Sequence, residues 1–79
     1  MSPTVLRIKG YRFFFFSREE PRKHVHVYCA DGEAKFWLEP EISLAKSYGL
    51  NPKQLNEIEK LVREHYEVFI KAWQKFFES

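Results

Sequence analysis

Hydrophobic and polar residues alternate between positions 24 and 38, with the period of two that is typical of a half-buried β-strand. The dipeptide Asp31-Gly32 lies in the middle of this stretch and favours a two-residue turn with positive φ, so the pattern predicts a β-hairpin. One face of the hairpin is apolar and predicts the core side of a sheet: Val25, Val27, Cys29, Ala34, Phe36 and Leu38. The other face is expected to meet water or a ligand, and its cross-strand pairs are His24 with Glu39, His26 with Trp37, and Tyr28 with Lys35.

Residues 4–16 predict another hairpin, with its turn at Lys9-Gly10 and one apolar face. It precedes the hairpin at 24–38, so we call it the first hairpin and the one at 24–38 the second. The register of this hairpin places Arg7 opposite Arg12. Like charges directly opposite one another repel unless an anion lies between them. The pair therefore indicates an anion-binding surface, and the alternative is that both guanidinium groups extend into solvent.

The period changes after Leu38, where the pattern becomes helical. Residues 40–48 predict a short helix, with Pro40 in its first turn and Gly49 as its stop signal. The segment 51–54, Asn-Pro-Lys-Gln, predicts the start of a long helix, because Asn is a good N-cap, Pro is favoured at the first helical position, and Gln can close a capping box. Apolar residues then recur at three- and four-residue steps as one continuous stripe: Leu55, Ile58, Val62, Tyr66, Phe69, Trp73 and Phe76.

These elements predict an α+β fold in which two hairpins form a four-stranded, mainly antiparallel sheet, followed by a short helix and a long C-terminal helix. The 79 residues are expected to form a single domain, 1–79. Ile70 and Phe77 widen the apolar stripe near the end of the long helix. This widening indicates a contact with a second chain, such as a homodimer through the C-terminal helix, unless packing on the sheet uses these side chains.

Composition narrows the class of protein. The net charge of +2 is too small to indicate nucleic acid or an anionic membrane without local clustering. A single cysteine excludes an internal disulfide, and the sequence has no long apolar span, so we expect a cytoplasmic protein with no membrane contact. A zinc site needs three or four ligands, and the His24/His26 pair lacks convincing additional ones, so we predict no metal and no cofactor.

The polar face of the second hairpin carries the candidate chemistry. His24 and His26 point the same way about 7 Å apart, which suits two acid–base groups on either side of one substrate. Glu39, opposite His24 in the predicted register, would orient that imidazole or raise its pKa. The candidate catalytic residues are His24, His26 and Tyr28, and the candidate nucleic-acid-binding residues are Arg7, Arg12, Lys35 and Trp37. Cations that hold a phosphate, aromatic rings that stack on bases and a histidine pair are the parts of a metal-independent ribonuclease.

Several segments also resemble the domain-of-unknown-function 4160 family: Pro3-Thr4-Val5, Gly10-Tyr11-Arg12-Phe13-Phe14, His24-Val25-His26-Val27 and Gly32-Glu33-Ala34-Lys35-Phe36-Trp37-Leu38, together with Trp73. The family pattern commonly has proline directly before the first histidine, whereas this chain has Lys23 there. The resemblance implies a small prokaryotic protein without an assigned biochemical activity, of a kind often found in two-gene arrangements that look like toxin–antitoxin modules.

Residues and resemblance together give two hypotheses. The first is a toxin-like module that binds, and in its catalytic version cleaves, RNA on the sheet face, with a small antitoxin-like protein or a second copy on the long helix. The second is a non-enzymatic protein-interaction module in which the same aromatic residues anchor a partner.

Overall fold

The strands form one antiparallel sheet in chain order, so that each strand pairs with the next. The structure is a computed structural model and describes residues 4–16 and 21–78. The strands are β1 (Thr4–Ile8), β2 (Tyr11–Phe14), β3 (His24–Cys29), β4 (Gly32–Trp37) and β5 (Ser43–Tyr48). The helices are α1 (Pro52–Glu64) and α2 (Tyr66–Trp73), and a π-helical turn, α3 (Gln74–Glu78), follows α2 directly. The α+β class is therefore confirmed, with five strands where the sequence predicted four.

The first hairpin has the predicted turn. Lys9 and Gly10 have φ values of 53° and 83°, which is the backbone that a two-residue hairpin turn requires. Arg7 lies opposite Arg12 as predicted. A bulge between Thr4 and Leu6 shifts the pairing at the far end of the hairpin.

The second hairpin has a different turn from the predicted one. Its turn lies at Ala30-Asp31, and Gly32 is the first residue of β4. The polar face consequently pairs His24 with Trp37, His26 with Lys35, and Tyr28 with Glu33, so the predicted pairs are wrong. The slip is two residues, which equals the side-chain period of a strand, so it leaves the predicted core and polar faces unchanged. Gly32 is required by packing, because a Cβ atom there would overlap the carbonyl oxygen of Tyr48.

Strand β5 replaces the predicted short helix over residues 40–48. It pairs with β4, which would otherwise be an open sheet edge. A bulge leaves Ala45 without a direct partner, because Leu44 pairs with Phe36 and Lys46 with Lys35. This extra residue interrupts the alternation that would have indicated a strand. Ile42, Ala45 and Tyr48 are three residues apart in the sequence, and that spacing resembles a helix.

The predicted long helix begins where expected and bends near its middle. Asn51 and Gln54 form the complete capping box at the start of α1. The helix is broken at His65, whose ring Nδ1 lies 2.9 Å from the carbonyl oxygen of Leu61. A straight helix over residues 52–78 would be about 40 Å long, longer than the 35 Å of the longest molecular dimension. The bend keeps the C-terminal end against the sheet. Two members of the predicted apolar stripe lie at the surface, Tyr66 at 36% and Phe76 at 49% exposure, so the stripe is not buried along its whole length.

The core lies between the helices and one face of the sheet, and aromatic rings fill it. Phe13 packs on Phe69 with ring centroids 5.3 Å apart, and Phe15 packs edge-on against Trp73 at 5.4 Å. The side chains predicted for the core face of the second hairpin do lie in or against this core, including the partly buried Cys29. Ile70 and Phe77 also pack against the core, so their apolar surface is used within the chain. A second-chain contact at that helix end stays a prediction.

Candidate functional site

The sheet face that points away from the helices carries the candidate site. Side chains at directly paired positions lie on one face, so the register defines rows that run across the strands. One row consists of Arg7, Arg12, Tyr28, Glu33 and Tyr48, and the next consists of Thr4, Phe14, His26, Lys35 and Lys46. We call these two rows, with Phe16 and Trp37 beside them, the polar sheet face. All the predicted site residues belong to this face or, for His24, to its margin.

A groove of about 450 Å³ opens on this face, and we call it the central groove. Its lining includes Phe14, Phe16, His26, Lys35, Lys46 and Tyr48. The ring of Phe14 is stacked on that of His26, with centroids 5.5 Å apart and planes 23° from parallel. Phe16 meets His26 edge-on at 5.8 Å. The groove therefore combines stacked aromatic rings with two lysine side chains from neighbouring strands.

His24 is buried, with 1% of its surface exposed, so the prediction that it faces water or a ligand is wrong. It is the first residue of β3, and Trp73 packs on it with the two ring centroids 5.2 Å apart. Its Nδ1 atom lies 2.7 Å from the carbonyl oxygen of Arg22, a hydrogen bond that fixes the ring. Glu39 is not its cross-strand partner, because Trp37 occupies that position.

The two histidine rings are nevertheless neighbours. Their centroids are 5.3 Å apart and their planes nearly perpendicular. His26 lines the central groove, but its Nε2 atom is buried. A proton transfer through Nε2 of His26, or through the buried ring of His24, thus requires a side chain to move first. The catalytic assignments of His24, His26 and Tyr28 stay predictions.

Trp37 is engaged by cations of the chain itself. The guanidinium carbon of Arg22 lies 4.0 Å from the centre of the indole ring, and the ammonium nitrogen of Lys35 lies 4.5 Å from it. Lys35 is only 7% exposed, and the cation–π contact helps to offset the cost of burying its charge. Base stacking on Trp37, as predicted from the sequence, would have to displace one of these cations.

Three other rings are available for stacking, and sequence reasoning selected only Tyr28 among them. Tyr48 is 77% exposed, Phe16 is 52% exposed and Tyr28 is 50% exposed. Tyr48 and Lys46 were missed because their segment was predicted as helix. Phe14 would have been found by extending the hairpin register from β2 to β3, which places it directly opposite His26.

The arginine pair lies at one end of the polar sheet face. Arg12 donates from Nε to the Thr4 hydroxyl at 2.8 Å, and its guanidinium carbon lies 4.6 Å from the centre of the Phe14 ring. These contacts direct the charge of Arg12 toward the central groove. A second cavity, of about 310 Å³, lies around the Lys9-Gly10 turn and is lined by Arg7 as well as Arg12. The predicted anion-binding surface is therefore cationic and adjoins the groove, and anion binding itself stays a prediction.

An ion-pair cluster holds the C-terminal turn α3 next to His24. Lys23 places its ammonium nitrogen 3.2 Å from Glu78 and 3.7 Å from Glu39. The hydrogen bond to Glu78 is the main reason that the pKa of Lys23 is raised, with the charge of Glu39 adding to it. Trp73 donates its indole N–H to Glu78 at 3.2 Å. The side chain that packs on His24 is thus tied to the residue that precedes His24.

Comparison with known proteins identifies the family. The family model described as "Domain of unknown function (DUF4160)" matches residues 10–74. The chain belongs to this family. No curated protein and no solved structure matches the chain. In this DUF4160 chain the segments that carry the resemblance include the central strand β3, the close approach at Gly32, and Trp73, which packs on His24.

Two further findings concern the described part of this DUF4160 chain. Residues 4–16 and 21–78 contain no group of three or more His, Cys, Asp or Glu side chains placed to hold a metal ion. Within the same ranges, no helix is both long enough and apolar enough to cross a membrane.

Proposed function

We propose that this protein binds single-stranded RNA in the central groove. The observation that carries the proposal is the lining of the groove, in which aromatic rings and lysine side chains lie side by side on an open sheet face. Aromatic faces stack on unpaired bases of any sequence, and cationic side chains neutralise the phosphates between them. Tyr48 and Phe16 are exposed enough to receive bases without repacking.

Charge distribution supports the same conclusion. The described strands place Arg7, Arg12, Lys35 and Lys46 on the polar sheet face, against the single carboxylate of Glu33. The net charge of the whole chain is only +2, so positive charge is concentrated on this face. Local clustering of this kind attracts a polyanion and makes its binding depend on salt.

Binding is better supported than cleavage. A metal-independent ribonuclease would need one group to accept the 2′-hydroxyl proton and another to protonate the leaving oxygen. His24 is buried under Trp73, whereas His26 lines the groove. If cleavage occurs, His26→Ala is expected to abolish it while RNA affinity falls only moderately, and the measurement is gel analysis of a labelled RNA in the presence of a chelator.

A toxin-like role extends the proposal. In a two-gene pair, a small antitoxin-like protein, expected from the sequence on the long C-terminal helix, would block RNA binding. Expression of this chain alone should then slow growth, and co-expression with the neighbouring gene should restore it. A Tyr48→Ala variant should be less toxic, because it removes the most exposed ring of the groove.

The direct test is fluorescence anisotropy with a labelled single-stranded RNA. The expected affinity falls steeply between about 50 and 200 mM salt. Lys46→Gln should reduce the slope of log K against log salt by about 0.7, the value for one phosphate contact on a single strand. The matched control is Lys60→Gln, an exposed lysine on α1, which should leave the slope unchanged.

The stacking part of the proposal has its own pair of variants. Tyr48→Ala should weaken binding by about 1–3 kcal/mol, the usual contribution of one stacked base. Tyr66→Ala, an exposed tyrosine on α2, is the control and should have no effect. An RNA affinity that does not change with salt concentration, together with equal effects of the two tyrosine variants, would instead favour the protein-interaction module.

A further inference from the structure

We infer that Tyr28, Glu33 and Tyr48 form a base-recognition site with a preference for guanine. This inference rests on the proposed RNA binding and adds a base specificity to it. We call these three side chains the tyrosine–carboxylate row.

The register brings the three side chains together. Tyr28 is directly opposite Glu33 across β3 and β4, and Glu33 is directly opposite Tyr48 across β4 and β5. Neighbouring strands are about 4.8 Å apart, so the carboxylate lies between two phenol rings whose strands are separated by roughly 10 Å. Tyr28 is 50% exposed and Tyr48 77% exposed, and Glu33 and Tyr48 both line the central groove. A base can therefore approach the carboxylate from solvent and lie against a ring.

The chemistry of the carboxylate selects the base. An ionised carboxylate accepts hydrogen bonds through two oxygens and donates none. The Watson–Crick edge of guanine presents two adjacent donors, the N1 proton and the 2-amino group, which match the two oxygens of Glu33. Adenine and cytosine present an amino group beside an acceptor nitrogen, and uracil presents one N–H between two carbonyl oxygens. Those acceptors would face the carboxylate oxygens and repel them.

The position of Glu33 among cations supports base recognition over phosphate contact. A carboxylate repels phosphates, so it would weaken RNA binding if the backbone passed over it. Lys35 and Lys46 are directly opposite one another in the adjacent row, two residues along their strands from Glu33 and Tyr48. That offset is about 7 Å, which allows a phosphate to lie at Lys46, the exposed lysine of the two, while its base reaches Glu33.

The experiment compares short uridine-rich RNAs that carry one central guanine, adenine, cytosine or uracil, at a single stated salt concentration. Wild-type protein should bind the guanine RNA roughly 5- to 150-fold more tightly than the others, the range for a bidentate base contact. Inosine, which lacks the 2-amino group, should lose part of this preference. The 7-deazaguanine analogue should keep it, because N7 is not used.

Two variants separate recognition from folding. Glu33→Gln should lower affinity for the guanine RNA and raise affinity for the all-uridine RNA, because the negative charge is removed. A general loss of structure would lower both affinities. Glu64→Gln, an exposed carboxylate on α1, is the matched control and should change neither.

Each result decides something. Equal binding of the four RNAs, or a guanine preference that Glu33→Gln leaves intact, overturns the guanine site while the groove proposal stands. If none of the four RNAs binds, both the groove proposal and the guanine site are wrong. A preference that inosine weakens, and that Glu33→Gln removes, supports both.

Discussion

Tyr11 makes the stability of this protein sensitive to alkaline pH in a way that can be calculated. Its hydroxyl donates to Glu57 at 2.7 Å, which ties the start of β2 to α1, and its side chain is buried at 6% exposure. Burial, and then the hydrogen bond and negative charge of Glu57, raise the pKa of Tyr11 from 10.0 to about 12. The neutral phenol therefore stabilises the folded state fully below pH 10, and this stabilisation is lost as pH rises from 10 to about 12.

One pKa unit corresponds to about 1.4 kcal/mol, so a rise of two units gives a total of about 2.7 kcal/mol, of which roughly half is lost at about pH 11. The assay is urea denaturation of the wild type and of Tyr11→Phe at about pH 9 and about pH 11. At the lower pH the variant should be less stable by about 1 kcal/mol, the contribution of one hydrogen bond. At the higher pH this gap should close, because Phe cannot ionise.

The comparison cancels all other groups that titrate in this range, since both proteins contain them. A tyrosinate absorbance titration of the folded protein gives an independent reading, and Tyr11→Phe should remove a component that titrates at about pH 12. A stability gap that stays constant between the two pH values would refute the reasoning, because Tyr11 would then ionise equally in the folded and unfolded chains.

Three further stability predictions follow from the fold. Gly32→Ala should lower the free energy of unfolding by about 3 kcal/mol and increase hydrogen exchange in β5, because its Cβ would overlap a backbone carbonyl oxygen. Its control is Gly10→Ala, where the Cβ meets open space and only the positive φ is unfavourable, so the loss should be about 1 kcal/mol. Asn51→Ala should lower the free energy of unfolding by about 1 kcal/mol, since it removes the N-cap of α1. Phe69→Ala should cost about 3–5 kcal/mol by opening a core cavity, and Val68→Ala, at an exposed position, should stay within about 0.5 kcal/mol in the same denaturation experiment.

The sequence predicted the faces of the sheet better than its pairs. Turn residues suggested a positive-φ turn at Asp31-Gly32, but Gly32 serves the close approach of β5 instead. A glycine can signal either use, and only the neighbouring strand decides between them. Because the slip is two residues, the core and polar faces survived it. At Lys9-Gly10, where the turn itself uses positive φ, the predicted register near the turn is confirmed.

The missed strand has a different physical cause. Residues 43–48 contain few β-branched or aromatic residues, and the bulge at Ala45 breaks their alternation. Their strand conformation comes from pairing with β4, a tertiary interaction that overrides local preference. Because Lys46 and Tyr48 lie on this strand, the same error left two residues of the central groove out of the predicted site.

Contacts from distant parts of the chain also redistribute the chemistry of the site. Alternation along β3 placed His24 with His26, and it could not show that Trp73 would cover His24. Arg22 likewise packs its guanidinium group on the Trp37 ring, which the sequence had indicated as a base-stacking surface. Exposure on a sheet face is decided by what folds over it, and strand periodicity carries no information about that.

Under the proposed function, RNA affinity should depend on the pairing of β5 more than on the histidine motif. Tyr48 and Lys46 reach the central groove only because β5 pairs with β4. A substitution that weakens this pairing, such as Gly32→Ala, should therefore reduce RNA binding although Gly32 has no side chain to offer an RNA. An unchanged affinity in that variant, with β5 shown by hydrogen exchange to be loosened, would place the binding surface on β2 and β3 and remove Tyr48 from it.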